Sequence, residues 1–249
     1  MKIYGHRGAK GEAPENTLEG FVHAYKQGTQ RFELDVQLTA DGQLVVIHDA
    51  TLERTTGLNA KVKDITFDEI SKLDARTNTA SWGTPCHIPT LDQVVVTLPN
   101  VEHWQFEVKT DSKTRLNILC NRLVEFIQSN KLKSKCVVTS SNTWFLKELK
   151  RRDQIIETGF VAEYRFPSPV NTAKKLSCNY LCLNYSLCTE ALVEEARKHE
   201  LHVSCWTVNS IHDMQLLKDK GVNSIITDFP TSALSYFDKK VDPHFCLVI

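Results

Sequence analysis

The 249-residue sequence predicts an α/β chain folded as a closed (β/α)8 TIM barrel of eight parallel strands. Three observations lead there. Short apolar runs alternate with segments whose apolar residues recur at i, i+3, i+4 and i+7, the pattern of a strand followed by an amphipathic helix. One run, residues 43–48, follows its predecessor after only four residues, Thr39-Ala40-Asp41-Gly42. That is too short for a parallel crossover, so the run forms an antiparallel hairpin and leaves the count. Eight strands then remain, each with room for a helix before the next. A doubly wound open sheet is the competing architecture, but His6-Arg7-Gly8 after the first strand is not the G-x-G-x-x-G turn of such folds.

The elements follow in order. Residues 2–5 form the first strand. Asn16-Thr17-Leu18-Glu19 reads as a capping-box-like helix start with Asn16 as the cap, continued by Leu18, Phe21, Val22 and Tyr25 and stopped at Gly28. Residues 31–38 are the second strand and 43–48 the hairpin return. The stretch from about 49 to 100 exceeds one crossover and reads as a small insertion on the catalytic face, closed by a helix over 91–98. Further strands are expected at 104–109, 136–140, 155–161, 180–184, 202–206 and 224–227. Between the first two of these, Leu116, Leu119, Leu123, Phe126 and Ile127 mark one helix face. No linker or repeat divides the chain, so residues 1–249 read as a single domain.

Thirty basic and thirty acidic residues give zero formal net charge, with no global bias toward nucleic acid. No run is long and apolar enough for a transmembrane segment, and the first residues carry no apolar core of a signal peptide, which predicts a cytoplasmic protein. The eight cysteines contain no C-x-x-C pair and read as reduced, mostly buried thiols. Cys178, Cys182 and Cys188 with His199 and His202 match no common zinc spacing. The terminal Cys246-Leu247-Val248-Ile249 satisfies a C-a-a-X lipidation pattern, but Lys239-Lys240-Val241-Asp242 upstream is barely basic and a packed apolar extension is the alternative.

In a barrel of this kind the chemistry sits at the carboxyl ends of the strands. Those ends carry His6-Arg7-Gly8, Glu33-x-Asp35, His48-Asp49 and Glu107-x-Lys109. Residues i and i+2 share a strand face, so Glu33 projects with Asp35 and Glu107 with Lys109. Three carboxylates in a partly dry mouth call for a hard divalent cation, Mg²⁺ or Ca²⁺, with positions left for substrate oxygens. Arg7 and Lys109 suit a phosphate, and the two histidines suit acid and base work on a phosphodiester near neutral pH. His23, His87, His103, His199, His212 and His244 read as surface or packing residues.

Together with Pro14-Glu15-Asn16-Thr17, Ile88-Pro89-Thr90-Leu91, Trp206-Thr207-Val208-Asn209 and Thr227-Asp228-Phe229-Pro230, these motifs resemble the ordered set of the glycerophosphodiester phosphodiesterase family. The resemblance spans residues 6 to about 230 and implies a barrel of the phosphatidylinositol-phospholipase-C-like type. It also implies metal-dependent hydrolysis of small-molecule glycerophosphodiesters to sn-glycerol 3-phosphate and an alcohol. By position, it makes His6 and His48 the acid/base pair and Glu33, Asp35 and Glu107 the metal ligands. Arg7 and Lys109 become phosphate contacts, and Trp206 lines the substrate end of the pocket. Asp228-Phe229-Pro230 is expected only to shape the last loop. Two other readings compete: a lysophospholipase D-like enzyme, whose apolar rim would draw on Phe160, Tyr164, Phe166 and Trp82, and a non-catalytic binding or scaffold barrel.

Overall fold

The computed structural model describes residues 1–79 and 81–238. From the amino terminus run β1 (Lys2–His6), α1 (Leu18–Lys26), β2 (Arg31–Leu38) and β3 (Leu44–Val46). The insertion carries the single-turn helices α2 (Glu53–Thr56) and α3 (Phe67–Ile70) and closes with α4 (Leu91–Thr97). Alternation resumes with β4 (His103–Val108), α5 (Lys113–Ser129), β5 (Cys136–Ser140), α6 (Thr143–Arg152) and β6 (Glu157–Ala162). It ends with α7 (Pro169–Lys175), β7 (Tyr180–Asn184), α8 (Glu190–Lys198), β8 (His202–Trp206), α9 (Ile211–Asp219), β9 (Ser224–Thr227) and α10 (Pro230–Asp238). The ring closes because β1 pairs in parallel with both β2 and β9, with His6 opposite Glu33 and Tyr4 opposite Ile226. The hairpin strand β3 lies outside the ring, antiparallel to β2.

The loops that enter most of the helices explain where those helices start. Thr90, Ser112, Asn142, Ser168, Thr189 and Ser210 each accept a hydrogen bond from a first-turn amide, satisfying a donor that would otherwise be orphaned. The first helix departs from expectation: Thr17, not Asn16, caps it by accepting from the Gly20 amide at 3.1 Å. Asn16 instead adopts a left-handed backbone, φ 55°, and points elsewhere.

Strand alternation divides the apolar residues in two. Phe32, Leu34, Trp104, Phe106, Val138, Leu181, Val203 and Ile225 pack outward against the helices, including Leu116, Leu119, Leu123 and Ile127 of α5. Inside the ring, Val137, Val161, Tyr180 and Cys182 form a separate cluster against which Trp206 packs. The insertion has its own small core of Val45, Ile47, Leu52, Val62, Ile70, Ala75 and Ile88, so it stands as a built unit on the barrel mouth. Among the described residues no helix is long and apolar enough to cross a membrane. The seven described cysteines are free and buried, and Cys246 lies outside the described residues.

The amino-terminal floor of the barrel is aromatic and basic. The Tyr4 hydroxyl lies 3.0 Å from His103 Nδ1, Tyr180 stacks on His202 at 4.2 Å, and His202 Nε2 meets the Ser224 hydroxyl at 2.8 Å. Burial, with the Lys2 charge nearby, pushes the His103 imidazole down to about 4 and the His202 imidazole to about 3. Both therefore stay neutral in the fold, while the unfolded chain protonates them below about pH 6.5. Between those limits the unfolded state binds more protons, so stability falls with falling pH by about 1.4 kcal/mol per pH unit for each such proton. The contribution of these two imidazoles to the thermal midpoint is expected to be flat above about pH 6.5 and to fall below it. His202→Gln should flatten that slope; an unchanged slope in the variant contradicts the assignment.

Candidate active site

The carboxyl end of the barrel gathers the predicted charges. β2 presents Glu33, Asp35 and Gln37 on one face, and β4 presents Glu107 with Lys109 just beyond it. One oxygen each from Glu33, Asp35 and Glu107 lies within 4.8 Å of the others, the one such triplet of potential metal ligands among the described residues. Glu33 is 2% and Asp35 1% exposed. Cys178, Cys182, Cys188, His199 and His202 do not come together as such a group.

Burial raises the Glu33 carboxyl well above the usual carboxylate range, and the Asp35 and Glu107 charges raise it further. Burial acts on Asp35 in the same direction, but Lys109, Arg7 and His48 outweigh it and hold Asp35 below that range. Lys109 sits inside the cluster, its Nζ 2.8 Å from Asp35 Oδ1 and 2.5 Å from Glu107 Oε1. Burial opposes its charge, yet the surrounding carboxylates raise its pKa. Arg7 is similarly committed, with Nη1 donating to Glu15 Oε1 at 2.8 Å and Nε 3.2 Å from Asp35 Oδ2. Neither cation is free of the carboxylates.

The turn after β1 is built for close approach. Arg7 has φ 51° and Gly8 φ 90°, and a Cβ on Gly5 would come within 2.1 Å of the Gly8 carbonyl oxygen. The turn brings the Arg7 amide to Glu33 Oε2 at 3.2 Å and the Arg7 carbonyl to the Asn16 amide at 2.9 Å. Asn16, released from capping, donates from Nδ2 to Asp35 Oδ2 at 2.8 Å.

Each histidine is held by an aspartate. His6 Nδ1 lies 2.6 Å from Asp228 Oδ1, and its Nε2 is 3.8 Å from Glu33 Oε2. Asn209 fixes Asp228 by donating from Nδ2 to Oδ2 at 2.8 Å and accepting from the Asp228 amide at 2.9 Å. His48 Nδ1 lies 2.7 Å from Asp49 Oδ1. Gln37 Nε2 is 3.1, 2.9 and 2.7 Å from the carbonyls of Ile47, His48 and Asp49, so the strand carrying two of the carboxylates also grips the His48 turn. An aspartate on Nδ1 selects the tautomer that leaves Nε2 to exchange protons. Burial lowers the His48 pKa; Asp35 opposes this, and Lys109 and Arg7 add to it.

Trp206 ends β8, half-buried against the interior apolar cluster, so packing accounts for its place. Phe160, Tyr164 and Phe166 do come together, around a cavity of about 260 Å³ that also includes Ser141, Val161 and Pro167. Trp82 is not among them; its ring packs edge-on against His23 of α1. Sequence reasoning missed Asp228 as the partner of His6, Asn16 as a donor to Asp35, and the buried Glu15 that Arg7 engages. All three lie within the quoted motifs.

A closed parallel barrel with its charges gathered at the carboxyl ends of the strands has the layout of a barrel enzyme. The sequence model of the glycerophosphoryl diester phosphodiesterase family matches residues 6–232, and the chain belongs to that family. The glycerophosphodiester phosphodiesterase of Caldanaerobacter subterraneus subsp. tengcongensis is 31% identical over 240 residues, covering 95% of this chain and 98% of the relative. The lysophospholipase D of Rattus norvegicus is 28% identical over 271 residues, 94% of this chain and 85% of the relative. A phosphodiesterase of Oleispira antarctica, solved with the product sn-glycerol-3-phosphate, superposes with a TM-score of 0.88 at 24% identity, over 96% of this chain and 97% of that one.

Proposed function

We propose that the protein hydrolyses glycerophosphodiesters to sn-glycerol 3-phosphate and an alcohol, with a divalent cation held by Glu33, Asp35 and Glu107. The observation that carries this reading is the convergence of that triplet with two aspartate-held histidines at one barrel mouth. The donor set fits a hard cation such as Mg²⁺ or Ca²⁺: it is all oxygen, and Glu33 Oε1 is buried without a hydrogen-bond partner. When bound, the cation stabilises negative charge on the phosphoryl oxygens.

The chain's own groups divide the remaining work. Arg7 and Lys109 bind and orient the phosphate. His48, whose pKa burial lowers, accepts a proton of the attacking water at Nε2. As the new P–O bond forms and the bond to the alcohol breaks, His6 donates a proton to the departing oxygen from Nε2. Asp49 and Asp228 hold the two rings, and Trp206, at the end of β8, lines the substrate end of the pocket. The chain forms a single barrel domain over residues 1–249, and its insertion, about 49–100, contributes to the mouth.

A second substrate class draws on the cavity at Phe160, Tyr164 and Phe166. Register places Glu107 beside Thr139 and Thr139 beside Gly159, so the strand leading to this loop is two strands from Glu107, about 10 Å away. Tyr164 is 74% and Phe166 90% exposed, which suits the hydrocarbon arm of a lysophospholipid. Phosphorus NMR of products from glycerophosphocholine, glycerophosphoethanolamine and a short-chain lysophosphatidylcholine tests both. The reading expects a glycerol 3-phosphate or its acylated form, with free alcohol released. Phosphocholine as product, or no cleavage of any substrate, contradicts it.

A further inference from the structure

We infer that Arg54, on the insertion helix α2, is a positioning residue that locks the His48–Asp49 pair to Arg7 through one buried carboxylate. Arg54 Nε donates to Asp49 Oδ2 at 2.6 Å, while Asp49 Oδ1 holds His48 Nδ1 at 2.7 Å. The other end of the same guanidinium grips Glu15: Nη1 donates to Oε2 at 2.6 Å and Nη2 to Oε1 at 2.9 Å. Glu15 Oε1 also accepts from Arg7 Nη1 at 2.8 Å, and Asn78 Nδ2 donates to Oε2 at 3.0 Å. The path His48–Asp49–Arg54–Glu15–Arg7 is therefore continuous in hydrogen bonds. It joins residues from the hairpin, the insertion, the first βα loop and the end of β1.

The chemistry of the link selects arginine. A planar guanidinium can present Nε to one carboxylate and the Nη pair bidentately to another, fixing the two relative to each other. A lysine at this place supplies the charge but only a single point of attachment. Glu15 is 3% exposed, so its four donor contacts from three residues form a rigid node and not a solvated cluster. The insertion thus does more than cover the mouth: through Arg54 and Asn78 it sets the spacing between a proton-transfer group and a phosphate-orienting group.

This inference rests on the reading of His48 as a proton-transfer group, so its test includes a readout independent of turnover. In the full chain, Arg54→Lys and Arg54→Met are compared with Asp49→Asn and with the Arg54→Lys, Asp49→Asn double variant. Misplacing His48 is expected to lower kcat roughly 10- to 100-fold. The double variant should be no worse than the poorer single variant, because both break one path. Nitrogen NMR of the histidine rings should show His48 as the Nδ1-protonated tautomer in the wild type and a tautomer mixture in Arg54→Met. A kcat unchanged in folded Arg54→Lys, or losses that simply multiply in the double variant, would overturn the proposal. A wild-type His48 already present as a tautomer mixture would overturn it as well, whatever the activity. Failure of wild type to cleave any glycerophosphodiester, with the tautomer change intact, removes the functional reading and leaves the positioning link.

Discussion

Glu33→Gln is expected to abolish turnover and yet to make the metal-free protein more stable. The two effects have one cause. Glu33 lies buried beside Asp35 and Glu107, and burial together with those two charges raises its carboxyl well above the ordinary range. A raised folded-state pKa means that the fold prefers the protonated form. The stabilising contribution is present below about pH 4.5, the unfolded value, and is lost as pH rises through the folded value. Near neutral pH the carboxylate therefore strains the cation-free fold, and a neutral amide of the same shape relieves that strain. The amide oxygen still accepts from the Arg7 amide, which holds Glu33 Oε2 at 3.2 Å. We expect a gain of about 1–2 kcal/mol, the usual size of a single stabilising substitution. At this chain length that is roughly 2–8 °C in Tm. Calorimetry in chelator measures it, while isothermal titration with Mg²⁺ or Ca²⁺ should show weakened binding. A variant that is less stable than wild type without metal, or that binds metal as tightly, contradicts the account. Asp35→Asn should differ in sign. Asp35 accepts from Asn16 and pairs with Lys109 and Arg7, so removing its charge leaves buried cations undercompensated and costs about 3–5 kcal/mol.

His48→Ala and His6→Ala are each expected to lower kcat by roughly 10²–10⁴-fold, the range for a lost acid or base. The double variant should fall short of the product of the two losses, since both groups serve a single displacement. What remains is the contribution of the carboxylate cluster and of Arg7 and Lys109 to binding and charge stabilisation. Neither substitution should unfold the protein. His48 is partly exposed, and the buried His6 contacts the polar side chains of Asp228 and Glu33. Single-turnover kinetics on folded variants is the check. Wild-type turnover no greater than that of the double variant would instead support a binding or scaffold barrel.

Much of this architecture is legible in the residues because strand periodicity and turn chemistry are local. The short connection before β3 settles its antiparallel pairing, and Glu33-x-Asp35 and Glu107-x-Lys109 settle which side chains share a face. Once the barrel closes, those strand ends must meet. What the sequence hides is the second layer of contacts, where partners are set by loops. Asp228 meets His6 across 222 positions, and no local pattern separates a carboxylate that holds a histidine from one that shapes a turn. Asn16 illustrates the competition at short range. Its position suits a cap, but Thr17 next to it takes that role, and the left-handed backbone at Asn16 turns its amide to Asp35. The commitment of Arg7 to Glu15 and Asp35 is likewise a tertiary outcome, as is the link that Arg54 makes between Glu15 and Asp49. Composition alone groups Trp82 with the aromatic rim, but the insertion carries it to His23 instead.

The most direct test of the central claim is glycerol 3-phosphate release from glycerophosphoethanolamine by wild type and Glu33→Gln, each with Mg²⁺, with Ca²⁺ and with excess chelator. The account predicts release by wild type with at least one of the two cations, none in chelator, and none from the variant under any condition. Release that persists in chelator and in Glu33→Gln would contradict it.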